Sequence, residues 1–265
     1  MTRITKLFAI PERRKALVSF LTAGDPSPQH TVPAMHALVA GGVDILEIGV
    51  PFSDPEAEGP AIQASSERAL GFGMTLDKVL AMVAEFRQQD AETPIVLMGY
   101  LNSIIAMPDF AARAQQAGVD GLIMVNLPPE SASELQAQLL DHDIDLIFLV
   151  APTTTDERAA YILGKASGFV YYVSLKGTTG ASNLDSVAVS GRLAELRGFT
   201  DLPICVGFGI KDAQTAGTVA AFADGVVVGS SLVNLLATHV DDVAAGVAAL
   251  EAEASALRQG IDARA

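Results

Sequence analysis

DILEIGVPFSDPEAEGP, residues 44–60, joins two unlike halves. Residues 45–50 are apolar or glycine except for Glu47, with no polar–apolar alternation. The second half is a Pro/Ser/Gly segment holding Asp54, Glu56 and Glu58. A short apolar run bounded by turn residues reads as a strand, and missing alternation means that both faces are covered, as in a parallel sheet flanked by helices. Working outward, the same kind of run recurs as KALVSFLTAGD (15–25), TPIVLMGYLN (93–102), DGLIMVNLPPE (120–130), IDLIFLVAPTTT (144–155), GFVYYVSLKGTTG (168–180), LPICVGFGI (202–210) and DGVVVGSSLV (224–233). Between the runs, residues 75–89, 110–117, 131–140, 157–166 and 212–222 carry helical periodicity. Eight strand–helix repeats in about 250 residues are what a (β/α)8 TIM barrel requires. A doubly wound open sheet is the alternative. The long helical pattern over 240–257, after the last run, favours ring closure.

No linker-like change of composition divides the chain, so one barrel domain over 1–265 is expected. The residues before Ala16 are expected to add an N-terminal helix that plugs the barrel bottom. Residues 177–191, rich in Gly, Thr and Ser, read as a loop longer than the usual βα connection, and such loops are often lids.

Composition narrows the function. Lys and Arg total 17 against 31 Asp and Glu, a net charge of −14, which repels a nucleic-acid backbone. It leaves room for one small phosphate held by backbone N–H groups. A single cysteine, Cys205, allows no internal disulfide, and four scattered histidines give no metal-site spacing. The first residues lack the continuous apolar core of a signal peptide, and no run is long enough to span a bilayer. A soluble cytoplasmic protein with no membrane partner is expected.

In such barrels the chemistry sits at the carboxyl ends of the strands. Glu47 lies near that end of the second run, among Ile45, Leu46, Ile48 and Val50. Burial disfavours a charged carboxylate, so its pKa should rise toward neutrality, as suits a group that both gives and takes a proton. The plainer alternative is a buried glutamate that only hydrogen-bonds backbone. Asp54, before a proline, could fix the loop internally. Glu58, nearest the return to the barrel, is the stronger candidate to face the site, against the alternative of a solvated loop charge. Runs seven and eight end in glycine: Gly209, then Gly229-Ser230 opening a short helix. Loops there often bind phosphate, and Gly180 could add a donor. The residues thus point to a phosphate-bearing small molecule worked on by paired carboxylates, with no metal and no activated nucleophile.

The segments LEIGVPFSDP, AEGP, LVAPTTTDER, GFVYYVSLKGTTGA, VGFGI and ADGVVVGSSLV, in order between about Arg14 and Leu235, resemble the alpha subunit of tryptophan synthase. The resemblance implies a barrel lyase that cleaves indole-3-glycerol phosphate to indole and glyceraldehyde 3-phosphate. It implies no cofactor on this chain, with pyridoxal phosphate only on a partner beta subunit in an alpha2beta2 complex. By position, Glu47 matches the catalytic glutamate. Glu58 stands where the family usually has an aspartate, which holds the indole N–H. Thr179 matches a threonine orienting that carboxylate. Phe20, Tyr100 and Tyr171 match the substrate pocket. Gly180, Gly209, Gly229 and Ser230 match the phosphate site. Asn126 also departs from a common aspartate, and Lys176 could pair with a loop carboxylate. A barrel without chemistry that activates a partner, a free-standing lyase, and another phosphate-binding barrel such as a sugar-phosphate isomerase are the alternatives.

Overall fold

A computed structural model describes residues 1–10, 15–174, 186–207 and 209–264. The elements run α1 (Arg3–Phe8), β1 (Ala16–Thr22), α2 (Pro28–Ala40), β2 (Ile45–Gly49), α3 (Pro60–Gly71), α4 (Leu76–Phe86), β3 (Ile95–Gly99), α5 (Leu101–Ile105), α6 (Phe110–Ala117) and β4 (Gly121–Met124). They continue with α7 (Ser133–Leu140), β5 (Asp145–Val150), α8 (Asp156–Leu163), β6 (Val170–Val173), α9 (Ser186–Leu196), β7 (Ile204–Gly207), α10 (Ala213–Ala220), β8 (Gly225–Val228), α11 (Ser230–Ala237) and α12 (Val243–Asp262). The eight strands pair in parallel, each with its sequence neighbours, and β8 returns to β1, so the sheet is a closed barrel.

Because side chains alternate across a strand, each strand feeds two cores. Val18, Ile45, Val96, Ile123, Ile147 and Val227 point inward and fill the barrel. Leu17, Leu46, Leu97, Leu122, Leu146 and Val226 point outward and meet the helices. Double coverage is why the runs show no alternation. Ile4 of α1 is fully buried and packs with Leu7 and Phe8 on the inner cluster, closing the barrel bottom.

The incoming strand ends are tied by aspartates. Asp44, Asp120 and Asp224 accept the backbone N–H of Leu17, Ile95 and Ile204, the openings of neighbouring strands, at 2.8, 2.8 and 2.9 Å. Each also meets arginine: Arg258 on Asp44 at 3.0 Å, Arg3 and Arg87 on Asp120 at 2.8 and 2.9 Å, Arg197 on Asp224 at 2.8 Å. Thr2 gives its hydroxyl to Asp145 at 2.6 Å while capping α1. The carboxylates thus supply acceptors for backbone N–H groups at the openings of β1, β3 and β7.

Two boundaries differ from the sequence reading. The 177–191 loop is shorter than expected: α9 starts at Ser186 and takes in Gly191, while residues 175–185 lie outside the described residues. The last helix runs 243–262 rather than 240–257, because the Asp242 side chain accepts the Ala245 N–H and sets its start.

Candidate active site

The inward-facing positions at the outgoing strand ends build the site. Phe20 on β1 and Glu47 on β2 are register partners, and Glu47 pairs onward with Val96 on β3. Glu47 comes two residues after inward Ile45 and lies between outward Leu46 and Ile48, so the strand period turns its carboxyl into the barrel. It is 1% exposed, and neither carboxyl oxygen has a hydrogen-bond partner among the described residues. Burial, and secondarily the Glu58 charge, raise its pKa to about 8. An unpaired carboxyl at this depth holds its proton at neutral pH.

Glu58 approaches from the loop after β2. It is 6% exposed, and burial raises its pKa to about 7. The lower value means that Glu58 ionises first, while Glu47 is still neutral; Glu47 then loses its proton against an existing negative charge. Short bonds shape the loop: Glu58 N–H to Pro55 O at 3.0 Å, Glu56 N–H to Asp54 O at 2.9 Å, and Gln63 Nε2 to Glu58 O at 2.8 Å. Asp54 accepts the Ser53 hydroxyl at 2.5 Å. A tight Gly59-Pro60 start to α3, with proline at the first helical turn, returns the chain to the barrel.

Tyr171 on β6 is buried, and its ionisation is pushed well above the usual range by burial and then by Glu47, Glu58 and Cys205. It is a neutral phenol sharing the interior with both acids. A side chain on Gly207 would collide with its hydroxyl, and one on Gly49 would collide with the Phe20 ring. Tyr100 comes directly after β3. Its hydroxyl accepts the Ala57 N–H at 3.0 Å, and its ring stacks on Phe52 with centroids 4.8 Å apart. Phe20, Phe52, Glu58, Ile62, Met98 and Tyr100 line a small cavity of about 10 Å³. A larger one, about 340 Å³, lies over the outgoing ends of β4 and β5, lined in part by Val125, Asn126, Leu149 and Arg158.

On the opposite side, Gly209 lies just after β7 with φ 79°, a conformation that suits glycine. Gly229 caps α11, and Leu232 and Val233 N–H both bond back to its carbonyl. Ser230 is the first residue of that helix, so the positive end of α11 opens beside the outgoing end of β8. Thr179, Gly180 and Lys176 lie outside the described residues. Among the described residues no group of three or more His, Cys, Asp or Glu could hold a metal ion.

The sequence reading missed several participants. Phe52 and Ile62 flank Glu58 in the cavity wall. The Thr22 and Ser65 hydroxyls meet at 2.6 Å, and Arg68 binds buried Asp25 at 2.6 and 3.0 Å, fixing α3 to the end of β1. The only advance signal was polar residues in otherwise apolar surroundings, as in LTAGD.

A family model described as tryptophan synthase alpha chain matches residues 8–262. The tryptophan synthase alpha chain of Thioalkalivibrio sulfidiphilus is 53% identical over 266 residues, 99% of this chain and all of that one. That of Nitrosococcus oceani is 56% identical over 237 residues, 88% of each. The crystal structure of tryptophan synthase subunit alpha from Legionella pneumophila superposes with a TM-score of 0.91 at 42% identity, covering 99% of both chains. Matched along almost its whole length in sequence and in fold, the chain belongs to the tryptophan synthase alpha chain family.

Proposed function

We propose that Glu47 and Glu58 carry the alpha reaction of this family, the lyase cleavage of indole-3-glycerol phosphate to indole and glyceraldehyde 3-phosphate. The observation that carries the reading is the placement of Glu47: inward-facing, almost fully buried and without a hydrogen-bond partner among the described residues, surroundings that raise its pKa to about 8. Cleavage of the ring-to-glycerol carbon–carbon bond needs an electron sink. Glu47 gives its proton to the indole carbon that carries the glycerol chain, which turns the ring into an iminium-like acceptor. The resulting carboxylate takes the proton of the adjacent glycerol hydroxyl. As that O–H breaks, the carbonyl of glyceraldehyde 3-phosphate forms and the bonding pair returns to the ring. Indole leaves and Glu47 is again protonated, so the cycle closes with no net proton change.

Glu58, ionised above about pH 7, supplies the negative charge that stabilises the ring N–H while the ring is cationic. Phe20, Tyr100 and Tyr171 flank the ring. Gly209, Gly229 and Ser230, with Gly180, receive the phosphate, and Thr179 orients the Glu58 carboxylate. This chemistry draws on side chains of this chain alone. Pyridoxal phosphate is assigned to a beta subunit, the proposed partner, in an alpha2beta2 assembly. No helix among the described residues is long and apolar enough to cross a membrane. A barrel without chemistry rested on Glu58 alone, and family membership does not favour it.

Glu47→Gln tests the assignment. Indole release should fall by at least about a thousandfold, a loss of roughly 4 kcal/mol in transition-state stabilisation, with folding intact. Turnover close to wild type in this variant would remove Glu47 from the mechanism.

A further inference from the structure

Tyr100 lines the pocket and also holds the loop that carries Glu58. Its hydroxyl oxygen is engaged by the Ala57 N–H, 3.0 Å away and one residue before Glu58. Its ring lies nearly parallel to Phe52, with an interplanar angle of 18°. Tyr100 therefore holds the acid loop at both ends, Phe52 at the start and Ala57 beside the carboxylate. On its other side Tyr100 is itself fixed. Asn126, after β4, accepts the Leu101 N–H through Oδ1 at 2.8 Å, and Leu101 is the next residue along. Asn126 Nδ2 also reaches Asn102 Oδ1 at 3.5 Å. The connection runs from the β4 loop through the start of α5 to the loop that presents Glu58.

We propose that Tyr100 is a positioning residue for Glu58, holding the acid loop through the Ala57 N–H and the Phe52 ring, and that Asn126 fixes Tyr100 in turn. The inference rests on the role proposed for Glu58 above. Its physical basis is leverage. A glutamate has one more rotatable bond than the aspartate usual at this position, so a fixed backbone matters more for aiming its carboxylate. Tyr100 is 4% exposed, so its hydroxyl has few water partners and the bond to Ala57 is not easily replaced. The Glu58 and Glu56 charges both act on the phenol, which puts it within electrostatic reach of the carboxylate it aims.

The test is steady-state indole formation from indole-3-glycerol phosphate by the full chain, alone and with a beta subunit. Tyr100→Phe keeps the ring and removes the acceptor. It should lower kcat by about 10- to 100-fold, with KM changed less than about threefold. In a Glu58→Gln background the same change should cost less than about twofold, because the carboxylate it aims is gone. Asn126→Leu should lower kcat by about three- to tenfold, and Asn126→Asp, which keeps the acceptor for Leu101 N–H, should restore it. Asn126→Leu also serves if Tyr100→Phe does not fold. Three results overturn the proposal: wild-type kcat in Tyr100→Phe, a raised KM at unchanged kcat, or full multiplicative loss in the Glu58→Gln background. Wild-type turnover in Glu58→Gln alone is a different failure. It would remove the Glu58 reading, and this inference with it.

Discussion

The Tyr171 hydroxyl occupies the space that a Cβ on Gly207 would need. The two residues sit on neighbouring strands, β6 and β7, and Tyr171 shares the barrel interior with Glu47. The missing side chain on one strand is thus the space for a buried tyrosine on the next. Gly207→Ala should destabilise the chain by about 1–3 kcal/mol through overpacking, and lower indole formation by at least about tenfold as Tyr171 is displaced. Adding Tyr171→Phe removes the closest clash, so the double variant should be more stable than Gly207→Ala alone. Urea denaturation of the cycle measures this, and strictly additive losses would show that the two do not compete for one volume.

The pH profile is set by the two carboxyls. The proposed reaction needs Glu58 ionised and Glu47 protonated, and burial puts their values at about 7 and about 8. The rate kcat/KM should therefore be bell-shaped, with an acid limb near 7 and a basic limb near 8. Glu58→Gln should remove the acid limb and leave the basic one. A profile flat from pH 6 to pH 9 would contradict the assignment of both groups.

The same burial makes Glu47 a liability for stability. Its pKa is about 8 in the folded chain against 4.5 for the free group. Between those values the unfolded chain has released its proton and the folded chain has not, so each rise in pH favours unfolding. Stability from this group is complete below about 4.5 and fully lost above about 8. Glu47→Gln should melt higher than wild type at pH 8.5, with the difference shrinking toward pH 5. Thermal melts across that range give the sign directly. A difference that grows toward low pH would show that Glu47 has a charged-state partner.

At the opposite end of the barrel the charges act on stability alone. Asp120 joins the Ile95 N–H, Arg3 and Arg87, with the side chain only 4% exposed. Asp120→Ala leaves the Ile95 N–H without its acceptor and removes the carboxylate from two arginines, although Arg87 keeps its bonds to the Gly118, Asp90 and Thr93 carbonyls, and should cost about 1–3 kcal/mol in urea denaturation. Its kcat below the melting range should stay within about twofold of wild type, because the change lies at the incoming strand ends.

Much of the fold was legible because burial on both strand faces leaves unbroken apolar runs, and a lone Glu47 inside one of them stands out. The strand period also fixes which way Glu47 points. What could not be read is the reach of single side chains across the fold. Nothing in the sequence links Tyr100 to Ala57, 43 residues apart, or Asn126 to Leu101, 25 apart, since neither bond obeys a helical or strand period. The 177–191 segment was misjudged for a related reason. Its composition reads as loop throughout, yet Val189, Leu193 and Leu196 bury one face of α9, and tertiary packing overrides weak helical preference at Gly191.

The Arg258–Asp44 pair spans 214 residues, from the second strand to the final helix. During synthesis Asp44 emerges long before its guanidinium exists. Until β8 arrives, the outer edge of β1 is a bare row of amides and carbonyls on an incomplete half-shell. Nascent chains should thus be most prone to sticking to one another just before β8 is made, and that strand withdraws the open edge from reach before the final helix latches Asp44.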